Sequence, residues 1–260
     1  MSAHTRSIQA LRADPTMSAL RRSLDHSYGD PAHGAALDEL YARFVTPGDL
    51  VFDVGSHVGD RIGSFRRLGA RVVAVEPQPL CTRAIRAIYA GDDQVTLVEA
   101  ACGAYAGNVR LHVNSRNPTI STVSAHFLQA ANGADGWAHE VWDDEIDVRC
   151  VTLDSLLHRY GVPTFVKIDV EGFEDAVLAG LSRPLPALSF EFTTIERALA
   201  RRCVDRLTSL GFDGFDVALG DDTSFAFGEW VSAERITAHL LSLPYRVNSG
   251  DVYCVGKRSG

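Results

Sequence analysis

The chain has 260 residues, 46% of them hydrophobic, and a formal net charge of -8. This composition is typical of a globular protein with room for one large α/β domain. The acidic balance argues against a duplex nucleic-acid partner, and no apolar run approaches the roughly 20 residues of a membrane span.

The first 45 residues are predicted to form helices that pack on the main domain or cover its ligand. Scattered leucines and arginines, but no strand-like alternation, occur in this segment. The turn at 46–48 then opens the main domain, which is predicted to extend from 46 to 260.

From residue 50 onward, strand and helix patterns alternate, which predicts a parallel sheet with helices on both faces. The predicted strands cover 50–54, 71–75, 95–101, 164–169, 187–193, 212–218 and 251–257. The predicted helices lie near 59–69, 80–90, 153–160, 173–181 and 195–210. No helix is predicted next to the last strand, so we expect that strand to be antiparallel. The predicted fold is a doubly wound, Rossmann-like α/β sheet of seven strands.

An acidic insertion is predicted at about 114–147, between two short strand candidates at 109–113 and 147–151. No clear period runs through it, and it has no lysine or arginine from 117 to 148. Long loops of compact domains often bind ligands, so Trp137 and Trp142 are candidates for substrate contacts. A solvated acidic loop anchored by the two tryptophans is the alternative.

The first predicted strand ends in an acid, Asp53, and is followed by the glycines Gly55 and Gly59. A glycine at 55 permits a sharp turn close to a ligand. The second strand ends at Glu76-Pro77, about 20 residues later, where nucleotide-binding folds hold ribose hydroxyls. The spacing is not G-x-G-x-x-G, so a cationic cofactor such as S-adenosylmethionine is favoured over NAD. A tight turn without a ligand is the alternative.

A second acidic cluster follows the predicted strand 164–169. Side chains alternate along a strand, so Lys167, Asp169 and Glu171 share one face. A buried lysine needs a counter-ion, and we expect Lys167 to pair with Asp169, Glu171 or Glu191. Asp169 lies at the carboxyl end of its strand, the edge at which open α/β sheets bind ligands. A salt-bridge network that only neutralises the lysine is the alternative.

Four segments, in this order and spacing, resemble the FkbM-like family of class I S-adenosylmethionine-dependent methyltransferases. They are Val51–Gly59, Val75–Pro77, Val151–Leu157 and Val166–Glu174. The elements L-D-S-L-L and K-I-D-V-E-G-x-E are the specific ones, and the similarity covers roughly 46–195. The chain carries Ser56-His57 where members usually have Ala-Asn after the first glycine.

The resemblance implies a cofactor site at the sheet edge. The first loop would surround the methionine part, Glu76 would bind the ribose hydroxyls, Glu99 and Ala101 would lie near adenine, and Asp169 beside the methyl group. The implied cofactor-binding residues are Asp53, Gly55, Ser56, His57, Gly59, Glu76, Pro77, Glu99, Ala101 and Asp169.

Methyl transfer to a hydroxyl requires alignment of the acceptor and removal of its proton. The candidate catalytic residues are Asp169, Glu171 and His57, and Glu191 joins the two tryptophans as a substrate contact. Magnesium held by Asp169 and Glu171 is a disfavoured option, so no metal site is predicted.

The predicted function is O-methylation of a small molecule, a sugar or another secondary metabolite. The alternatives are N-methylation, an NAD-dependent oxidoreductase, and an inactive cofactor-binding module. A small-molecule or glycan acceptor is expected, with no nucleic-acid or membrane partner, and a homodimer is one option for the assembly. Five widely spaced cysteines and the lack of a signal-peptide pattern predict a cytoplasmic location.

Overall fold

The computed structural model describes residues 3–256 and contains ten α-helices within that range. They are α1 Ala3–Ala13, α2 Arg21–Gly29, α3 Pro31–Tyr41, α4 Asp60–Arg67, α5 Pro79–Ile88, α6 Ala125–Ala131, α7 Leu153–Tyr160, α8 Glu174–Ala179, α9 Arg197–Ser209 and α10 Ala233–Ser242. Short 3-10 helices cover Pro15–Leu20, Pro118–Ile120, Thr194–Glu196 and Tyr245–Val247.

The strands form two sheets. They are β1 Leu50–Val54, β2 Arg71–Val75, β3 Val95–Val98, β4 Ala101–Cys102, β5 Gly107–Val113, β6 Asp144–Val151, β7 Phe165–Ile168, β8 Ala187–Thr193, β9 Phe212–Leu219 and β10 Ser249–Gly256. The large sheet has seven strands in the order β3-β2-β1-β7-β8-β10-β9. Only β10 is antiparallel to its neighbours within it, β8 and β9. The predicted seven-stranded α/β sheet with an antiparallel last strand is confirmed.

Both faces of the large sheet are covered, because its strands present alternate residues to two separate cores. Val51 belongs to the core formed with α1 to α5, and Phe52 to the core formed with α7 to α10. The helices predicted in the first 45 residues are present: α3 lies against α4, and α1 against α5. Arg67 fixes the first of these contacts through two hydrogen bonds to Asp38, of 2.7 and 2.8 Å. Within residues 3–256, no helix is long and apolar enough to cross a membrane.

Two element predictions are wrong. The third strand ends at Val98 and does not continue to 101, because Ala100 N–H turns back to the carbonyl of Val98 and Ala101 enters the second sheet. A helix, α10, does precede the last strand. Ser232 caps it by accepting from the N–H of Arg235, and Ile236 and Leu240 are buried on one side.

The second sheet has the order β4-β6-β5 and frames the predicted insertion. The strands β5 and β6 are antiparallel, and β6 begins at Asp144, so the last residues of the predicted insertion are part of a strand. The expectation that 114–147 lacks a period is wrong as well. Helix α6 lies within it, capped by Ser124, with Phe127 and Ala131 buried four residues apart.

Candidate active site

The site lies where the order of the large sheet reverses. From β1 the chain adds β2 and β3 on one side, then returns to add β7 and β8 on the other. The parallel strands β1, β2 and β7 therefore bring the loop after Val54, Glu76 and Asp169 to one edge. Open α/β sheets bind their ligands at such a switch point.

Gly55 allows the loop after β1 to pack on the loop after β7. Its φ is +81°, and a Cβ atom at this position would lie 1.6 Å from the carbonyl oxygen of Asp169. The nearest neighbour is therefore the backbone of the protein itself. In the same loop, Ser56 donates a hydrogen bond of 2.7 Å to the carbonyl of Asp53, and Gly59 lies at the N-cap of α4. A larger residue at 55 would push the two loops apart.

The side chain of Asp53 is buried opposite Lys167 in the neighbouring strand. Burial raises the pKa of Asp53 to about 7, although the ammonium of Lys167 opposes this. Its Oδ2 receives no hydrogen bond from the part of the chain that the structure describes. Asp53 does not line either of the two cavities at this edge. The Oδ2 atom of Asp53 is therefore a buried carboxylate oxygen without a hydrogen-bond partner among the described residues, next to the first loop.

Glu76 follows β2 and is 3% exposed. Its Oε2 accepts the N–H of His57 and its Oε1 accepts the N–H of Gln78, both at 2.9 Å. Burial raises the pKa of Glu76 to about 8, and these two hydrogen bonds act in the opposite direction. When ionised, Glu76 keeps a free lone pair on each carboxylate oxygen, so it can still accept hydrogen bonds from two hydroxyl groups.

A narrow cleft of about 30 Å³ runs from Glu76 along the edge of the sheet. Its far end is apolar, with Ala101, Cys102, Val123 and Phe173 among its lining residues, and Pro77 lies beside Glu76. Glu99 does not line the cleft. It forms an ion pair with Arg86, and its side chain is 39% exposed.

Lys167 is 1% exposed and lies below the edge of the sheet. Its Nζ donates to Asp169 Oδ2 at 2.9 Å and to Asp251 Oδ1 at 3.1 Å. Burial alone would lower the pKa of Lys167, but the two carboxylates outweigh it and raise that pKa well above its ordinary value. The predicted pairing with Asp169 is confirmed. The contact with Asp251, in β10, was not predicted.

A second cavity, of about 320 Å³, opens on the other side of His57 and Asp169. His57 has a φ of +48°, and its Nε2 lies 3.9 Å from Asp169 Oδ1. Burial lowers the pKa of His57, although Asp169 opposes this, so the imidazole is neutral near pH 7. Glu171 and Glu191 line the same cavity, and burial and the charge of Asp169 raise the pKa of both carboxyls well above the usual range.

Other residues of this second cavity were missed by sequence reasoning. Helix α2 contributes Arg22 and His26, and the loop before the 3-10 helix at 118 contributes Asn117. Arg61, paired with Asp60, lines the cavity from the start of α4. No local pattern marks these residues, because only the tertiary fold brings α2 to the edge of the sheet.

The two tryptophans predicted as substrate contacts do not line either cavity. Trp137 packs edge-on against Phe127, and its Nε1 donates to Asn248 Oδ1 at 3.0 Å. Trp142 also packs on Phe127 and donates to the carbonyl of Ile120 at 2.9 Å. Both side chains hold the segment around α6 in place.

A family model described as the methyltransferase FkbM domain matches residues 53–213. No curated protein sequence matches the chain. Among solved structures, a precorrin-6y C5,15-methyltransferase from Geobacter metallireducens is 16% identical, with a TM-score of 0.43 and 87% of each chain covered. Fibrillarin from Aeropyrum pernix, solved with bound S-adenosylmethionine, is 12% identical with a TM-score of 0.47, and the match covers 88% of this chain and 76% of fibrillarin. A TehB-like S-adenosylmethionine-dependent methyltransferase from Corynebacterium glutamicum is 11% identical with a TM-score of 0.45, and the match covers 92% of this chain and 96% of that protein.

Proposed function

Because the chain belongs to the FkbM methyltransferase family, we propose that it methylates a hydroxyl oxygen of a small molecule, a sugar or another secondary metabolite. Its cofactor is S-adenosylmethionine, which supplies, when bound, an electrophilic methyl group on a sulfonium sulfur. One observation carries the proposal. The narrow cleft and the larger cavity meet at a junction lined by Gly55, His57, Thr119 and Asp169.

The narrow cleft fits the nucleoside end of the cofactor. Glu76 has lone pairs free for the two ribose hydroxyls, and the apolar end around Ala101 and Phe173 suits a flat ring. The orphaned Oδ2 of Asp53 is a further acceptor beside the first loop. The segment that contributes Pro118 and Val123 forms one wall of this cleft.

The larger cavity is the proposed acceptor site, since it opens at His57 and Asp169. A hydroxyl held there loses its proton while its oxygen forms the new bond to carbon, and the carbon–sulfur bond breaks. Three candidate groups for this proton lie together at the cavity, since His57, Asp169 and Glu171 have ligand atoms within 4.8 Å of one another. Lys167 engages one oxygen of Asp169 and fixes the position of that carboxylate.

The charge of the cavity supports a neutral or cationic acceptor. Its wall holds four acids, Asp60, Asp169, Glu171 and Glu191, against two arginines, Arg22 and Arg61, and the chain as a whole has a formal charge of -8. An amino sugar fits this wall better than a phosphorylated compound, and nucleic acid fits it poorly. The same wall suits an amine, so N-methylation is the second candidate.

All five cysteines are free and buried, which supports a reducing, cytoplasmic location.

The test is a radiolabel-transfer assay with S-adenosylmethionine and matched pairs of acceptors that differ only in a hydroxyl or an amino group. Transfer to the alcohol of each pair is expected, and transfer only to the amine would replace O-methylation by N-methylation. Binding of S-adenosylhomocysteine without transfer to any acceptor would favour the inactive cofactor-binding module.

His57→Asn is the informative variant, because asparagine tolerates a positive φ and removes the imidazole. We expect it to lower kcat by about 10²- to 10⁴-fold with little change in S-adenosylhomocysteine affinity. His158→Asn, at an exposed position of α7, is the matched control and should retain full activity. An unchanged kcat in His57→Asn would remove this histidine from the reaction.

A further inference from the structure

We propose that His57, Asp169 and Glu171 bind a divalent cation of the Mn²⁺ and Mg²⁺ class, which holds the acceptor oxygen. This inference deepens the proposed function and rests on it. One ligand atom from each of the three side chains lies within 4.8 Å of the other two. Ligands on opposite sides of a Mg²⁺ ion are about 4.2 Å apart, so small side-chain rotations close the site.

The donor atoms are available for an ion. Lys167 occupies only Oδ2 of Asp169, and Oδ1, the oxygen nearest to His57, receives no hydrogen bond from residues 3–256. Glu171 is 7% exposed and lines the cavity, and within the described chain its carboxylate has neither a hydrogen bond nor an ion pair. A carboxylate buried to this extent without a partner points to a ligand that supplies the missing charge.

The charge balance of the cavity indicates a dication. Asp60 is paired with Arg61, and Lys167 is shared by Asp169 and Asp251. Glu171 and Glu191 then have no cationic partner in the part of the chain that the structure describes. With Arg22, which also lines the cavity, these five carboxylates in their ionised form face three cationic side chains, and a single divalent ion compensates the excess of two negative charges. Two carboxylates and one imidazole form an oxygen-rich donor set, which suits Mn²⁺ or Mg²⁺ and leaves coordination positions for the acceptor.

A bound divalent cation would assist removal of the proton from the acceptor hydroxyl. An acceptor hydroxyl bound to a divalent cation becomes more acidic, as metal-bound water does. Its proton passes to the carboxylate of Glu191, the oxygen attacks the methyl carbon, and the electron pair of the carbon–sulfur bond stays on sulfur. In this arrangement His57 is a ligand of the ion, and the proton acceptor is Glu191, which is not one of the three proposed ligands.

Titration of the full-length protein with Mn²⁺, in the presence of S-adenosylhomocysteine, tests the inference by electron paramagnetic resonance. We expect binding at micromolar concentration, displacement by Mg²⁺, and an imidazole-nitrogen modulation that disappears in His57→Asn. Binding only at millimolar concentration, or a signal without nitrogen coupling, would overturn the assignment.

Glu171→Gln and Glu191→Gln are matched variants, because each removes one carboxylate from the same cavity. Loss of a direct ligand should weaken Mn²⁺ by at least about 100-fold, above the range for outer-shell groups, and Glu191→Gln should weaken it by less than about tenfold. Equal losses would mean that the cavity attracts cations only through its overall charge, against the proposal. Calorimetry with S-adenosylhomocysteine separates the cation-site proposal from the methyltransferase proposal. If S-adenosylhomocysteine binds and Mn²⁺ does not, the cation-site proposal is wrong and the methyltransferase proposal stands.

Discussion

At the scale of single residues, Lys167 is the group on which the charge balance below the sheet edge depends. Its ammonium is 1% exposed and contacts the carboxylates of Asp169 and Asp251. Lys167→Met would leave these two acids close together without a counter-ion. Removal of one partner of a buried ion pair costs about 3–5 kcal/mol, and we expect a loss of this size in the free energy of unfolding, measured with urea.

Arg110→Met is the control for this change. Arg110 is exposed and pairs with two exposed acids, Glu145 and Asp147, at 2.8 Å. Exposed pairs contribute about 0–1 kcal/mol, so the two variants should differ clearly in stability. Equal stability of Lys167→Met and the unmodified protein would show that the buried pair is not a structural requirement.

The pairing of Lys167 with Asp169 could be predicted from the sequence, because alternation along one strand puts both on the same face. The contact with Asp251 could not, since the two residues are 84 positions apart and their proximity depends on how β10 enters the sheet. Glu76 and His57 were each predicted as site residues, but no contact between them was predicted. The hydrogen bond between them follows from the close packing of the loops after β1 and β2, which no local pattern records.

At the scale of elements, α6 and its aromatic cluster support the loop after β7. Phe127 is fully buried between Trp137 and Trp142, and it lies so close to Gly172 that a Cβ there would be 2.7 Å from it. Phe127→Ala should reduce the free energy of unfolding by about 3–5 kcal/mol, the range for buried aromatic residues. Tyr105→Ala, at a position that is 84% exposed, should change it by less than about 0.5 kcal/mol.

Thermal or urea unfolding of both variants gives the comparison directly. A Phe127→Ala protein as stable as the Tyr105→Ala protein would mean that the cluster contributes little. It would also favour the alternative for the predicted insertion at about 114–147, a solvated acidic loop anchored by the two tryptophans.

Helix α2 closes one side of the larger cavity, the proposed acceptor site. Arg22 lines it, and the hydroxyl of Tyr28 ties the same helix to the carbonyl of Val58 at 2.9 Å. Arg22→Ala should raise the KM of the acceptor several-fold and leave the Kd of S-adenosylhomocysteine unchanged. Arg21→Ala, one position away and outside the cavity, is the matched control. A weaker Kd for the cofactor product in Arg22→Ala would place α2 on the cofactor side.

Short elements inside long connections were the least predictable part of the fold. Helix α6 has seven residues, and its signal consists of Ser124 as the cap and two buried residues four apart. Helix α10 shows the same pattern after Ser232. The sequence predicts neither helix, because tertiary packing of a few apolar side chains decides whether such short helices form. The continuously buried, apolar strands β1, β2, β7 and β8 were predicted almost to the residue.

At the scale of the whole molecule, buried acids make the stability depend on pH. The pKa of Asp53 is raised to about 7, and those of Glu76 and Glu174 to about 8, with burial as the main cause. The folded protein therefore holds protons that the unfolded chain has released. Between pH 6.5 and 8, the free energy of unfolding should fall as pH rises, because the native state binds more protons.

The window begins at pH 6.5 because His57 acts in the opposite sense below it. Burial lowers the pKa of His57, so the unfolded chain binds its proton first there. Urea unfolding of the ligand-free protein at several pH values measures the slope, and Glu76→Gln should reduce it. A free energy of unfolding that rises from pH 6.5 to 8 would contradict these protonation states.

The position of β10 has a consequence for how the protein is made. Along the described chain β10 is the last strand, yet it lies between β8 and β9 and pairs with both. While the ribosome still holds this segment, β8 and β9 each present an unpaired backbone edge, and Lys167 lacks Asp251. Open edges promote aggregation of nascent chains. The sheet and the ion pair beneath the proposed site are thus completed together, once β10 has entered between β8 and β9.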